Sequence, residues 1–216
     1  MEKRTARIIE LLEKEYPKAK GSLRFANPLE LLVSTILSAQ CTDARVNMVT
    51  QQLFNKYKNA ADYATADVSA FEQDIRSTGF YHNKAKNIIA AARMIVKEFK
   101  SNVPDTMEDL ILLPGVARKT ANIVLTGAFG KIEGIAVDTH VSRLSQRLGL
   151  SSNKDPVKIE QDLMAGIGRA HWGRINHLLV EHGRLICGAK KPRCNECVLG
   201  KLCPSKRIFS HQKGGE

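Results

Sequence analysis

The chain has 216 residues, enough for one domain or two small ones to bury a core without disulfide staples. Its 33 basic residues against 22 acidic ones give a net charge of +11, which favours a polyanionic partner over an acidic small molecule. No apolar h-region follows Met1, and no stretch approaches the roughly 20 apolar residues of a membrane span, so neither export nor insertion is expected.

In chain order the pattern reads as helix after helix. Residues 3–15 carry Ile8, Ile9, Leu11 and Leu12 on one side and stop before Pro17. Asn27-Pro28 is an N-cap followed by proline at the first helical position, and it opens an apolar helix to about Ala39. Thr42 caps 43–57, where Val46, Val49, Leu53 and Phe54 recur at helical spacing. Thr65 is expected to cap a helix ending near Gly79, and Asn83 to precede a long one to about Phe99. Thr106-Met107-Glu108-Asp109 resembles a capping box for a short helix ending at Pro114. Helices over 117–128, 139–148, 156–165 and 172–186 follow, with Asp138 and Asp155-Pro156 as start signals. No alternating run reads as a strand, so the expected class is all-α. Composition shifts near residue 131, where glycine pairs, prolines, cysteines and clustered charge replace strongly apolar helices. The tail from residue 208 is expected to be disordered.

The most informative stretch is Leu113-Pro114-Gly115-Val116-Ala117-Arg118-Lys119-Thr120-Ala121. Pro114-Gly115 makes a tight turn and a helix opens straight after it, so backbone N–H groups and the positive helix end face outward, as suits a phosphate. Lys119 falls in the first turn of that helix, where the dipole disfavours a cation and so favours the free amine. Taken alone, Lys119 is better read as an exposed lysine touching a phosphate. Asp138 has two compatible readings. It can cap the helix through Leu148, and it can face Lys119 as a carboxylate that stabilises positive charge on a sugar. Arg143 and Arg147 read by default as a solvated face, His140 as a surface histidine, Trp172 as core, and Cys41 as a small buried hydrophobe.

Four of the five cysteines fall within 17 residues, as Cys187-x6-Cys194-x2-Cys197-x5-Cys203. In a reducing compartment this comb is a metal site, and its spacing alone leaves Zn²⁺ and a [4Fe–4S] cube both open. Residues 184–207 also hold seven Lys/Arg against Glu196 alone. The loop Gly188-Ala189-Lys190-Lys191-Pro192-Arg193 lies between two of the ligands, so a bound group would stiffen it against a phosphate backbone.

In this order and spacing, the nine-residue stretch, Val137-Asp138-Thr139-His140 and the cysteine series closely resemble the endonuclease III family, the helix-hairpin-helix DNA glycosylase/lyases of base-excision repair. The resemblance spans roughly residues 3–205. Leu37-Ser38-Ala39-Gln40-Cys41-Thr42-Asp43 is similar to the family's segment between its second and third helices. Gly79-Phe80-Tyr81-His82-Asn83-Lys84-Ala85 is similar to the loop carrying its intercalating wedge.

The resemblance implies two all-α domains with a DNA cleft between them. One is a six-helix barrel over 21–131 that contains the helix-hairpin-helix at about 106–127. The other is a discontinuous cluster domain from 1–20 and 132–207. It implies Lys119 as nucleophile, Asp138 as the essential carboxylate, and one [4Fe–4S] cluster per chain on Cys187, Cys194, Cys197 and Cys203. Damaged double-stranded DNA would be contacted by Gln40, Thr42, Asp43, Phe80, Leu113, Gly115, Val116, Ala117, Thr120, His140, Arg143, Lys190, Lys191 and Arg193. The expected substrates are oxidised pyrimidines and abasic sites, acted on by a cytoplasmic, nucleoid-associated monomer with no membrane partner. Two departures stand out: Ala117 replaces a second hairpin glycine, and Phe80 is bulkier than the usual aliphatic wedge. Two rival readings are a monofunctional mismatch glycosylase and a non-catalytic iron–sulfur DNA-binding module, neither of which needs Lys119 and Asp138 together.

Overall fold

In the computed structural model, residues 1–210 are described; within them every regular element is helical and no strand occurs. The order is α1 (Lys3–Glu15), α2 (Pro28–Leu37), α3 (Asp43–Lys56), α4 (Ala60–Ala64), α5 (Val68–Ile75), α6 (Tyr81–Glu98), α7 (Met107–Leu110), α8 (Arg118–Phe129), α9 (Thr139–Arg147), α10 (Pro156–Gly166), α11 (Trp172–Leu185) and α12 (Lys206–Ser210). Short 3-10 turns add Arg76–Thr78 and Arg169–His171. Among the described residues, no helix is long and apolar enough to cross a membrane.

Two compact units result. Ser22–Glu133 forms one, and Met1–Gly21 with the stretch from Gly134 onward forms the other. The first is built on α2, whose residues Leu31 to Leu37 are buried on every side. It packs against α8, while α6 packs against α2, α4 and α5. Tyr57, Tyr63 and Phe71 close one end, with ring centroids 5.1 to 5.8 Å apart in stacked and edge-on pairs. In the second unit α11 packs on α1 and α9, burying Ile8, Leu12, Val141, Leu144, Ile175 and Leu178. Trp172 sits half-buried at the edge of this core, and its Nε1 donates to the Ile167 carbonyl at 2.9 Å.

Most start signals act through side chains. Asn27, Thr42, Thr106 and Asp155 each accept from an N3 amide, at 3.0 to 3.3 Å. Three local features differ from the expectation. α4 is an extra turn, closed by a reciprocal Asn59–Asp62 capping box; Thr65 ends it, and Asp67 caps α5 instead. α6 starts at Tyr81, so Asn83 lies inside its first turn. Residues 208–210, expected in a disordered tail, belong to α12, while 211–216 lie outside the described residues.

Candidate active site

α7, the turn after it and α8 form the hairpin. Amide hydrogen bonds from Leu113 to the Leu110 carbonyl (3.1 Å) and from Val116 to the Leu113 carbonyl (3.0 Å) wind the turn tightly. Leu113 and Val116 point inward, 2% and 7% exposed, so only their backbone faces out. Gly115 has φ +80, and a Cβ there would lie 2.8 Å from Asn87 Cβ on α6. A glycine is therefore required twice over, by conformation and by space. Ala117 is different. Its φ of −93 and ψ of 169 are ordinary extended backbone, and it is exposed, so its methyl group costs the turn nothing.

Ala117 is the N-cap of α8 but makes no side-chain cap, and the first turn holds no acid. The first i to i−4 bond runs from Ala121 N–H to the Ala117 carbonyl at 3.0 Å. The amides before it point out at the positive helix end. Lys119 is exposed there and Thr120 half-buried.

Asp138 belongs to the other unit. Its Oδ1 accepts the Val141 amide at 2.8 Å, which makes it the N-cap of α9 and fixes the carboxylate's orientation. The buried run Ile135, Ala136 and Val137 anchors the chain leading into it, and Asn176 Nδ2 holds the Ala136 carbonyl at 2.6 Å. His140, two residues along, is held below its ordinary pKa chiefly by burial, with Asp138 opposing. It meets Arg143 at 3.2 Å, and Arg143 donates on to the carbonyls of Gly183 (3.0 Å) and Cys187 (3.2 Å). Arg143 is thus committed to the end of α11. Gly183 permits this approach, since a Cβ would sit 2.8 Å from His140 and 2.9 Å from Arg143.

Gln40 and Phe80 share an unusual backbone. Both are non-glycine residues in the left-handed region, at φ +53 and +50. Both side chains are exposed, Phe80 by 62%. Thr42 spends its hydroxyl on capping α3, and Ser22 donates to the Asp43 carboxylate. These four lie in the same unit as the hairpin.

Cys187, Cys194, Cys197 and Cys203 line one pocket in the second unit, walled by Leu144, Leu148 and Ile186. Burial pushes the Cys197 thiol up to about 11, and the other three cysteines push the same way. Among the described residues, no group of three or more His, Cys, Asp or Glu is arranged to hold a single metal ion. Four soft donors lining one apolar pocket suit a cationic group larger than one ion. Two nitrogens face sulfur: His182 Nε2 lies 3.3 Å from Cys197 Sγ, and Arg147 Nη1 donates to Cys187 Sγ at 3.3 Å.

The loop after Cys187 is tied down from both sides. Arg147 donates to the carbonyls of Gly188 (2.8 Å) and Ala189 (2.7 Å). Arg193 pairs with Glu196 at 2.8 Å and donates to the Leu185 carbonyl. Lys190 and Lys191 are left exposed at the tip. Arg147, read with Arg143 as a solvated face, is instead committed to the loop after Cys187.

These features define a class first. Residues 33–169 match the family described as HhH-GPD superfamily base excision DNA repair protein. The chain is 54% identical to the endonuclease III of Synechocystis sp., over 94% of this chain and 92% of that one. It also resembles the structure of a non-covalent endonuclease III–DNA complex, with TM-score 0.92 and 40% identity over 98% of this chain and 100% of that one. A trapped endonuclease III–DNA covalent intermediate, an estranged-adenine complex, matches with TM-score 0.91 and 41% identity over 96% and 98%. The chain belongs to the endonuclease III family within that superfamily.

The hairpin geometry separates its two small residues. Gly115→Ala should lower unfolding free energy by about 1–3 kcal/mol, whereas Ala117→Gly should change it by less than about 0.5 kcal/mol. Urea denaturation of the two variants checks this, and equal losses would contradict it.

Proposed function

We propose that this chain is a base-excision-repair DNA glycosylase with an associated abasic-site lyase activity, directed at oxidised pyrimidines. The observation that carries this reading is the placement of Lys119, an exposed primary amine on the first turn of α8 directly after the Gly115 turn. A phosphate held by the hairpin amides brings a neighbouring sugar within reach of that amine. Family membership and the likeness to a trapped covalent intermediate support it.

The base must first leave the stack, which is cheapest where damage has already weakened stacking. Gln40 and Phe80 are proposed to enter the duplex, one filling the gap and one parting the opposite strand. Lys119 Nζ then attacks C1′, and the glycosidic bond breaks as the base departs with that electron pair and takes up a proton. Asp138, oriented by the Val141 amide, offsets the oxocarbenium-like charge. The amine gives up one proton and the C1′–O4′ bond breaks, O4′ leaving as a hydroxyl, so that the nitrogen, keeping its second proton, is joined to C1′ as an iminium. Loss of a C2′ proton then expels the 3′ phosphate, which nicks the strand, and water releases Lys119 from the sugar. Lys190 and Lys191 would meet the phosphate backbone on a loop held by Arg147 and Arg193. The four cysteines would hold a [4Fe–4S] cluster, which stiffens that loop and takes no part in the bond-breaking steps. Work on chromosomal DNA would place this monomer in the cytoplasm at the nucleoid.

Three outcomes are expected. Borohydride with abasic-site duplex should give a covalent protein–DNA adduct that Lys119→Gln abolishes and Asp138→Asn slows by about 100-fold or more at unchanged binding. A full adduct yield from Lys119→Gln would overturn the mechanism. Protein purified without oxygen should be yellow-brown with about four irons per chain; stoichiometric zinc without colour would reject the cluster. Lys190→Ala with Lys191→Ala should flatten the log–log salt dependence of DNA binding by about 1–2 units, and an unchanged slope would mean the loop does not meet phosphate.

A further inference from the structure

α6 carries a charge in an unexpected place. Lys84, on its first turn, is only 4% exposed. Its ammonium donates to two backbone carbonyls, Leu37 and Thr78, both at 2.8 Å. Burial lowers its pKa, with the Cys41 thiol nearby opposing the shift. A buried ammonium is expensive to keep unless its hydrogen bonds are well made.

The two carbonyls are informative by position. Leu37 ends α2, three residues before Gln40. Thr78 ends the 3-10 turn, two residues before Phe80. Carbonyls at helix ends have no intrahelical partner and carry the negative end of the dipole, so they are natural acceptors for a cation. The Lys84 amide also donates to the Phe80 carbonyl at 3.1 Å. One residue therefore grips the roots of two exposed segments, each bearing a non-glycine residue in the left-handed region at its tip. Such backbone persists only where its surroundings over-determine it.

We propose that Lys84 is a positioning residue for strand opening: by tying the Leu37 and Thr78 carbonyls to one ammonium, it fixes the spacing between Gln40 and Phe80 so that both enter the duplex together. The inference rests on the assignment of those two residues as the groups that enter the duplex. Lys84 itself touches no DNA. Without the ammonium, each segment could relax out of its left-handed turn independently, and the opposite base would stay stacked.

The test uses a duplex with 2-aminopurine opposite a stable abasic analogue, and borohydride trapping on a true abasic site. Saturating wild-type protein should raise the 2-aminopurine fluorescence. Lys84→Met at saturation should give less than about a third of that rise and trap about tenfold more slowly or worse, with an unchanged salt slope of binding. If Lys84→Met does not fold, Lys84→Gln carries the same comparison, because its shorter, uncharged side chain keeps polar character without the ammonium that ties the two carbonyls. Fluorescence and trapping within about twofold of wild type would overturn the proposal. So would a common loss of binding, fluorescence and trapping, since that marks a residue supporting only the fold. A wild type that neither traps nor raises fluorescence would instead strike the parent functional reading, leaving the two failures distinguishable.

Discussion

Leu113 and Val116 are buried side chains on an exposed turn, and burying them fixes the backbone between them. Everything the hairpin presents follows from that anchoring. The turn cannot move outward without exposing two apolar side chains, at roughly 1.5–3 kcal/mol each. It cannot move inward because Gly115 already lies against Asn87 on α6. α8 therefore starts at a set place with its first-turn amides outward, and Lys119 is carried on a rigid element. The nucleophilic role proposed for Lys119, which requires it to meet one carbon of a sugar, gains most from such fixed placement.

The same economy recurs around the rest of the candidate machinery, where groups that look free for a ligand also hold structure. Asp138 caps α9 through one oxygen, which costs nothing chemically because a carboxylate has a second. Arg143 is consumed by the end of α11, and Arg147 and Arg193 by the loop that leaves Lys190 and Lys191 exposed. Guanidinium groups suit this work, since their fork of donors satisfies several carbonyls at once. The two lysines, with compact mobile charges, remain at the tip.

How much of this was legible in the sequence depended on whether the signal was local. Helix starts at Asn27, Thr42, Thr106, Asp138 and Asp155 are local hydrogen-bond chemistry, and each shows in a few residues. The turn at Gly115 is equally local, and the backbone at Ala117 explains why the second small residue need not be glycine. α4 was missed because Thr65, a good cap by composition, ends one helix where it was expected to begin another. The start of α6 was displaced because no pattern announces Phe80 in the left-handed region. Lys84 was invisible for a similar reason. A lysine on a helix reads as solvent-facing, and only the tertiary fold brings two orphan carbonyls to it. Arg147 likewise needed its distant acceptors, 41 and 42 residues away.

In the proposed mechanism the amine on the first turn of α8 forms the covalent bond to the sugar. The most direct measurement is peptide mapping by mass spectrometry of the borohydride-reduced adduct formed by wild-type protein with abasic-site DNA. The sugar remnant should be found on Lys119. A remnant on the N-terminal amine or on any other lysine, Lys84 included, would contradict it.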